Sequence, residues 1–285
     1  MDVHFCGVRG STPAPGLPFV RYGGHTSSVA LAHDDQVPTL VLDGGTGLRQ
    51  VTALLREQPY DGTILLGHLH WDHVHGLPFF RGGGSAGARV DVVLPAPAGD
   101  PVEALSRGMS PPHFPIGPQE LGAGWSFSAL SEGTQLREGF RVLAREIPHK
   151  GGQTFGFRIS DDTGSVAYLS DHAPLSLGPG PDGLGALHPA ALELADGVDL
   201  LIHDAQFLAS EFPGVTYLGH AAVEYAMSLA DAAGARQLAL FHHSPERDDA
   251  QIDQIMRMVR LSDTTVFAAA EGLVVRLERS AVPTS

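Results

Sequence analysis

Short runs of apolar residues, bounded by Gly, Pro and Asp, recur along the chain and alternate with stretches whose apolar positions fall at helical spacing. Runs rich in β-branched and apolar residues predict strands at 3–8, 28–32, 39–42, 63–66, 90–94, 140–147, 154–159 and 166–169. Leu48, Val51, Leu54 and Leu55 share one face of a helix over 48–56. The pattern continues with helix 189–195, strand 198–203, helix 221–233, strand 237–241, helix 249–260 and strands 265–269 and 273–277. Strands gather in antiparallel-looking groups with helices interspersed in both halves. That predicts an α/β (α+β layered) fold, an αββα sandwich of two packed mixed sheets flanked by helices, and not strict βαβ alternation. No linker interrupts the pattern, so residues 1–285 are expected to form one domain. Residues 81–125, rich in Gly and Pro, read as a surface excursion that caps a site or packs on a partner subunit.

Composition narrows the class. Apolar residues make up 43% of the chain, enough for a large core, and the single cysteine, Cys6, excludes an intrachain disulfide framework and a cysteine-built metal site. Cys6 lies in an apolar strand and reads as core. Acidic residues outnumber basic ones 32 to 18, for a formal charge of −14, and Lys150 is the one lysine. Long nucleic acids are held largely by phosphate neutralisation, so they are not expected as partners, and anionic membranes are disfavoured on the same ground. No apolar stretch approaches ~18 residues, so no transmembrane helix is expected. Residues 1–9 lack a charged segment followed by an apolar run, so a cytoplasmic location is expected.

The chemistry lies in the histidines, of which there are 15. His68-Leu69-His70-Trp71-Asp72-His73 directly follows an apolar strand. In an extended segment residues two apart face the same side, so His68 and His70 reach one metal ion, while Asp72 and His73 follow where the chain turns. Imidazole nitrogens and carboxylate oxygens suit zinc, with manganese or iron as alternatives. Further candidates stand at strand ends: His149, Asp171 and His242. Spacing alone does not choose among His149, His172, His203, His220, His242 and His243, nor give roles to His25 and His113. Gly44-Gly45-Thr46-Gly47 precedes a helix but lacks the ending of a phosphate loop, so a tight turn is the better reading. Ser11 and Ser27 have no motif that makes them nucleophiles.

His68-x-His70-x-Asp72-His73 resembles the signature of the metallo-β-lactamase superfamily. Gly7-Val8-Arg9-Gly10-Ser11, Tyr22-Gly23-Gly24-His25-Thr26-Ser27, Asp43-Gly44-Gly45-Thr46-Gly47 and His203-Asp204-Ala205-Gln206 resemble its phosphodiesterase branch. That branch includes cyclic-nucleotide phosphodiesterases and transfer-RNA 3′-processing endonucleases. The resemblance implies a metallo-β-lactamase-type sandwich and two divalent ions, zinc first and manganese second. It places His68, His70 and His149 on one ion, Asp72, His73 and His242 on the other, and Asp171 between them. Such an ion pair clamps the attacking and leaving oxygens of an in-line displacement and lowers the pKa of water towards ~7. The resemblance makes His220 the general acid, supported by Asp204, and puts His25, Ser27 and Arg9 at the substrate. The chain departs from the pattern in three places. Ala221-Ala222 stands where Ser-Thr often follows the acid histidine, His25 where many relatives have Asn, and Asp204 where the endonucleases have Glu.

Among the functions this allows, a metal-dependent phosphodiesterase acting on a small nucleotide, a 3′,5′-cyclic one, fits best. The endonucleases of the branch carry a Gly- and Lys/Arg-rich arm, whereas residues 151–190 contain one Arg and no Lys. A small phosphodiester needs only the metals and a few donors, for which Arg9, Arg21 and Arg49 are candidates. The alternatives are the processing endonuclease and a non-catalytic, metal-binding ligand sink. Relatives are often homodimers, and the same is expected here.

Overall fold

The computed structural model describes residues 1–97, 99–259 and 264–278. The first sheet takes β1 (Asp2–Gly7), β2 (Ser28–Ala32), β3 (Leu40–Leu42), β4 (Asp61–Leu65), β5 (Arg89–Leu94) and β6 (Trp125–Ala129), side by side in that order. The second takes β7 (Gly133–Arg137), β8 (Phe140–Glu146), β9 (Phe155–Ser160), β10 (Ser165–Leu169), β11 (Leu200–Asp204), β12 (Gln237–Phe241) and β13 (Thr265–Ala268). A last strand, β14 (Val274–Arg276), returns to the first sheet beside β1. Each sheet is antiparallel on one side and parallel on the other: β3 to β6 and β10 to β13 run parallel.

Three apolar layers hold this together. Phe5, Leu31, Phe140, Phe157 and Phe241 fill the space between the sheets. On the outer face of the second sheet, α4 (Pro189–Ala195) and α6 (Val223–Ala233) bury Leu194 and Leu229 against Leu201 and Leu238. On the outer face of the first, α1 (Leu48–Leu54) buries Leu48 and Val51 with Val41, Ile64 and Val92. Strands covered on both faces read as unbroken apolar runs, which is why β2, β3, β10 and β11 were legible. The four-layer αββα arrangement expected from the sequence is the one found.

The departures are local. β6 and β7 were not expected; each is an edge strand with a partner on one side only, and neither buries a continuous face. Two short helices flank the site loops, α2 (Trp71–Val74) and α5 (Phe212–Val215). The expected helix 249–260 is α7 (Asp249–Met258), and Arg260 lies outside the described residues. Residues 81–125 are not a detached excursion. β5 pairs with β4 and β6 inside the first sheet, and α3 (Pro101–Ser106) is capped by Asp100, whose carboxylate accepts the N–H groups of Val102 and Glu103. The Asp-Pro-Val-Glu start of α3 was a readable helix signal inside a segment taken for loop.

Candidate metal centre

The loops after β4, β8, β10, β11 and β12 meet at one edge of the sandwich, where they bring eight His and Asp side chains together. His68, His70, His149 and Asp171 form one cluster, Asp72, His73 and His242 a second, and Asp171, His220 and His242 a third. In the second cluster His73 Nε2 stands 3.2 Å from Asp72 Oδ2 and 3.1 Å from Asp171 Oδ1, and His242 Nε2 is 3.1 Å from both oxygens. In the first, His149 Nε2 is 3.2 Å from His70 Nδ1 and 3.3 Å from Asp171 Oδ2, with His68 Nε2 at 3.5 Å from that oxygen. Four ligands held tetrahedrally at about 2.0–2.1 Å stand roughly 3.3 Å apart, so both sets have the dimensions of a zinc-type shell. Asp171 gives one oxygen to each set.

Second contacts fix which nitrogen faces inward. His73 Nδ1 donates to Asp43 Oδ2 at 2.7 Å, and His149 Nδ1 donates to the Gly219 carbonyl at 2.7 Å, leaving each Nε2 for the centre. The Nε2 atoms of His68 and His73 are buried and have no hydrogen-bond partner. Burial, then the neighbouring His73, pushes the pKa of His68 well down, and burial lowers those of His70 and His149, so these three are neutral imidazoles fit to ligate. Burial opposes ionisation of Asp72 and Asp171, but the surrounding His73 and His242 hold both carboxyls well below the usual range. For His73 burial is outweighed by Asp72, Asp171 and Asp43, which raise it well above its ordinary value; the carboxylates call for positive charge at this spot.

Asp43 was quoted above only as part of a motif, yet it organises the centre. Its buried carboxylate accepts from His73, from the Tyr168 hydroxyl at 2.7 Å and from the Gly67 N–H at 2.7 Å. Asp43 (φ 60°), Ser11 (φ 63°) and His242 (φ 57°) all adopt the left-handed backbone region without being glycine, so three strained positions fall at the centre. Gly10 lies so close to His242 that a Cβ would stand 2.4 Å from its Nδ1, which explains the small residue before Ser11. Replacing Asp43 by Asn is expected to weaken metal affinity about 10–100-fold, the usual cost of losing such an orienting carboxylate. Competition with a chelator measures it.

His220 stands at the rim, with 10% of its side chain exposed, and its Nδ1 donates to Asp204 Oδ2 at 3.0 Å. Burial alone would lower its pKa, but Asp204 first, then Asp171 and Asp72, carry it up to about 9. Asp204 is itself held by the N–H groups of His172, Gln206 and Ala221. A pocket of about 390 Å³ opens over the centre, lined by Ser11, Leu69, His70, Trp71, Asp72, His149, Asp171, Leu218 and His220.

Of the three substrate contacts expected from the sequence, Arg9 and Ser27 are corrected. Arg9 is 0% exposed, and its guanidinium donates to the carbonyls of Gly23, Ser244 and Arg247; it ties the β1–β2 loop to the loop after β12 and does not reach the pocket. Ser27 is fully buried, its hydroxyl directed at the Arg9 carbonyl 3.5 Å away. His25 packs beside Glu271, Nδ1 to carboxylate 3.8 Å, and is not among the pocket residues. Arg21 is paired with Asp253, and Arg49 lines another cavity. Residues 81–125 contribute nothing to the pocket wall. His172, His203 and His243 are buried: His172 Nδ1 meets His203 Nε2 at 3.1 Å, and His243, its pKa pushed down to about 3 by burial, donates to the Ala269 carbonyl. His113 lies in the same second cavity as Arg49. Ser11 and Trp71 were the residues missed.

Two sheets between helices, with His/Asp clusters at one edge, define the metal-dependent hydrolases of the metallo-β-lactamase class. Residues 39–243 match the family model described as beta-lactamase superfamily domain, and the chain belongs to that family. It is 26% identical over 247 residues to a ribonuclease Z of Anoxybacillus flavithermus, an alignment covering 73% of this chain and 77% of that one. Among solved structures it resembles the metallo-beta-lactamase fold protein YhfI from Bacillus subtilis, at a TM-score of 0.70 and 18% identity, covering 96% of this chain and 98% of that one. A diphosphatase from the PhnP family matches at a TM-score of 0.70 and 18% identity over 98% of each chain. No helix among the described residues is long and apolar enough to cross a membrane.

Proposed function

We propose that the protein is a two-metal phosphodiesterase acting on a small phosphodiester, a 3′,5′-cyclic nucleotide. The observation that carries this reading is the pair of tetrahedron-sized ligand sets sharing Asp171 on the floor of a pocket of about 390 Å³, with His220 in its wall. His68, His70, His149 and Asp171 would hold one divalent ion and Asp72, His73, His242 and Asp171 the other, zinc first and manganese second. Bound there, the ions would supply Lewis-acid polarisation of the phosphoryl group and a lowered pKa for the attacking water.

The chain's own groups do the rest. His220, oriented through Nδ1 by Asp204, presents Nε2 to the pocket and holds the proton that a departing alkoxide requires. Ser11 donates its N–H to Asp72 Oδ2 at 2.6 Å, which fixes that ligand. Its Oγ accepts from Gln206 Nε2 at 3.0 Å, so the hydroxyl proton is free to point into the pocket at a phosphoryl oxygen. Trp71, 68% exposed and stacked on His75 at 5.5 Å, offers a face for a base. Ser11→Ala is expected to lower kcat/KM about 10–100-fold, the worth of a hydrogen bond to a charged group of about 1.5–3 kcal/mol. Steady-state kinetics beside a count of bound metal, which should stay at the wild-type value, checks it.

The likeness to a ribonuclease Z favours a second reading, RNA cleavage at the same centre. Against it stand the −14 charge and residues 151–190, which fold into β9, β10, a long connection with one helical turn (Pro174–Leu177) and the start of α4, and which carry one Arg and no Lys to grip a phosphate backbone. The metal-supplemented protein is to be offered 3′,5′-cyclic AMP, GMP, CMP and UMP beside a precursor transfer RNA. Metal-dependent release of mononucleotide with the RNA intact supports the small substrate. Trimmed RNA with the cyclic nucleotides untouched establishes the second reading instead.

A further inference from the structure

A second cavity lies beside the metal pocket. It encloses about 800 Å³ and is separated from the pocket by α2, whose Trp71 and Asp72 face the metal ligands while Val74 faces the cavity. Its floor is apolar and buried: Leu77, Phe80, Leu105 and Met109. Its aromatic walls are built with fixed geometry. Phe79 and Phe114 meet edge to face at 6.1 Å, and Trp125 has its indole N–H tied to the Gly83 carbonyl at 3.0 Å, so it shows the cavity only a ring.

Charge singles the cavity out. The chain carries 32 acidic side chains, yet none lines this space, whereas Arg49 and Arg81 both do. Both are exposed, and among the described residues neither has an ion-pair or side-chain hydrogen-bond partner, unlike Arg21, Arg89, Arg145 and Arg276, which are all paired with carboxylates. An apolar concavity of this size with a small number of polar groups at its margin has the make-up of a small-molecule site. Two unpaired guanidinium groups select the sign of the ligand's charge and favour oxyanions that offer two oxygens to the fork, such as carboxylates or sulfonates.

We propose that this cavity binds a small amphipathic organic anion, its flat apolar body lodged among Phe79, Phe114 and Trp125 and its anionic group held by Arg49 and Arg81. The site is independent of the hydrolytic reading, because it uses no metal ligand and no residue of the metal pocket. Its position behind α2 places any occupant one short helix away from Asp72 and His73.

The probe is 8-anilinonaphthalene-1-sulfonate, compared by fluorescence titration of the metal-loaded protein with N-phenyl-1-naphthylamine, which has the same apolar body and no charge. Saturable binding of one sulfonate per chain, at least tenfold tighter than the neutral compound, is expected. The double variant Arg49→Gln/Arg81→Gln should erase that preference while leaving binding of the neutral compound in place. Gly84→Leu, at a cavity-lining position with no atom within 4 Å of the added Cβ, should weaken both compounds without lowering Tm. Equal affinity for the two compounds, or an anion preference unchanged in the double variant, overturns the proposal. So does failure of both compounds to bind, and sedimentation then tells whether the protein is a dimer that buries this cavity. In that case the occupant is a second copy of the chain.

Discussion

Asp72→Ala is expected to reduce hydrolysis by at least about 10³-fold while leaving the fold intact. Asp72 Oδ2 meets His73 Nε2 and His242 Nε2 and accepts the Ser11 N–H, so its removal leaves one proposed ligand set with three members and frees the Ser11 loop. A metal centre contributes several kcal/mol of charge stabilisation in the transition state, and each 1.36 kcal/mol is tenfold in rate. The metal-free variant should unfold at a temperature close to that of the metal-free wild type, because Asp72 lies at the edge of the sandwich and supports no apolar layer. The gain in Tm on adding zinc should shrink, since a ligand stabilises the folded chain only in proportion to how tightly it binds. Equal zinc-induced shifts in variant and wild type would remove Asp72 from the ligand set.

The second large effect concerns the leaving group. His220→Ala is expected to slow cleavage of a cyclic nucleotide by about 10²–10⁴-fold, the usual worth of a positioned general acid. Bis-p-nitrophenyl phosphate, whose phenolate departs without a proton, should be affected far less. Metal content should not change, because the Nδ1 of His220 is already engaged by Asp204, although the ring stands beside Asp171 and His242. The pH profile gives an independent readout. Asp204, the largest of the influences that raise the pKa of His220, is not a metal ligand, so the acid function is present below the raised pKa and lost as pH rises through it. Asp204→Asn removes the largest of the influences that raise it and should move the alkaline limb to lower pH. Equal losses on both substrates, or a limb unmoved by Asp204→Asn, would deny His220 this role.

The legible part of the molecule was whatever short-range pattern dictates. Strands sealed on both faces announce themselves by composition, as Ser28–Ala32 does, whereas Trp125–Ala129 and Gly133–Arg137 pair on one side only and alternate weakly with polar residues. His68, His70, Asp72 and His73 were visible because local spacing and a strand end suffice to aim them. Arg9 was misread because a buried arginine and an exposed one are the same letter. What decides is three carbonyls supplied by residues 23, 244 and 247, which no local pattern connects. Asp43 went without a role for the same reason, since its partners Gly67, His73 and Tyr168 come from three separate elements. Ser11 and Trp71 needed the pocket itself to be seen.

Each proposed ligand set draws two side chains from loops of the first sheet and two from loops of the second: His68 and His70 with His149 and Asp171, Asp72 and His73 with His242 and Asp171. The ions would therefore act as rivets between two halves of the chain, closing a span of 170 residues between Asp72 and His242. Neither half alone possesses a complete socket. A cation taken up at this edge also clamps the two plates of the sandwich, so its affinity is set partly by how readily they hold their alignment. Metal uptake thereby becomes a report on the assembly of the whole domain.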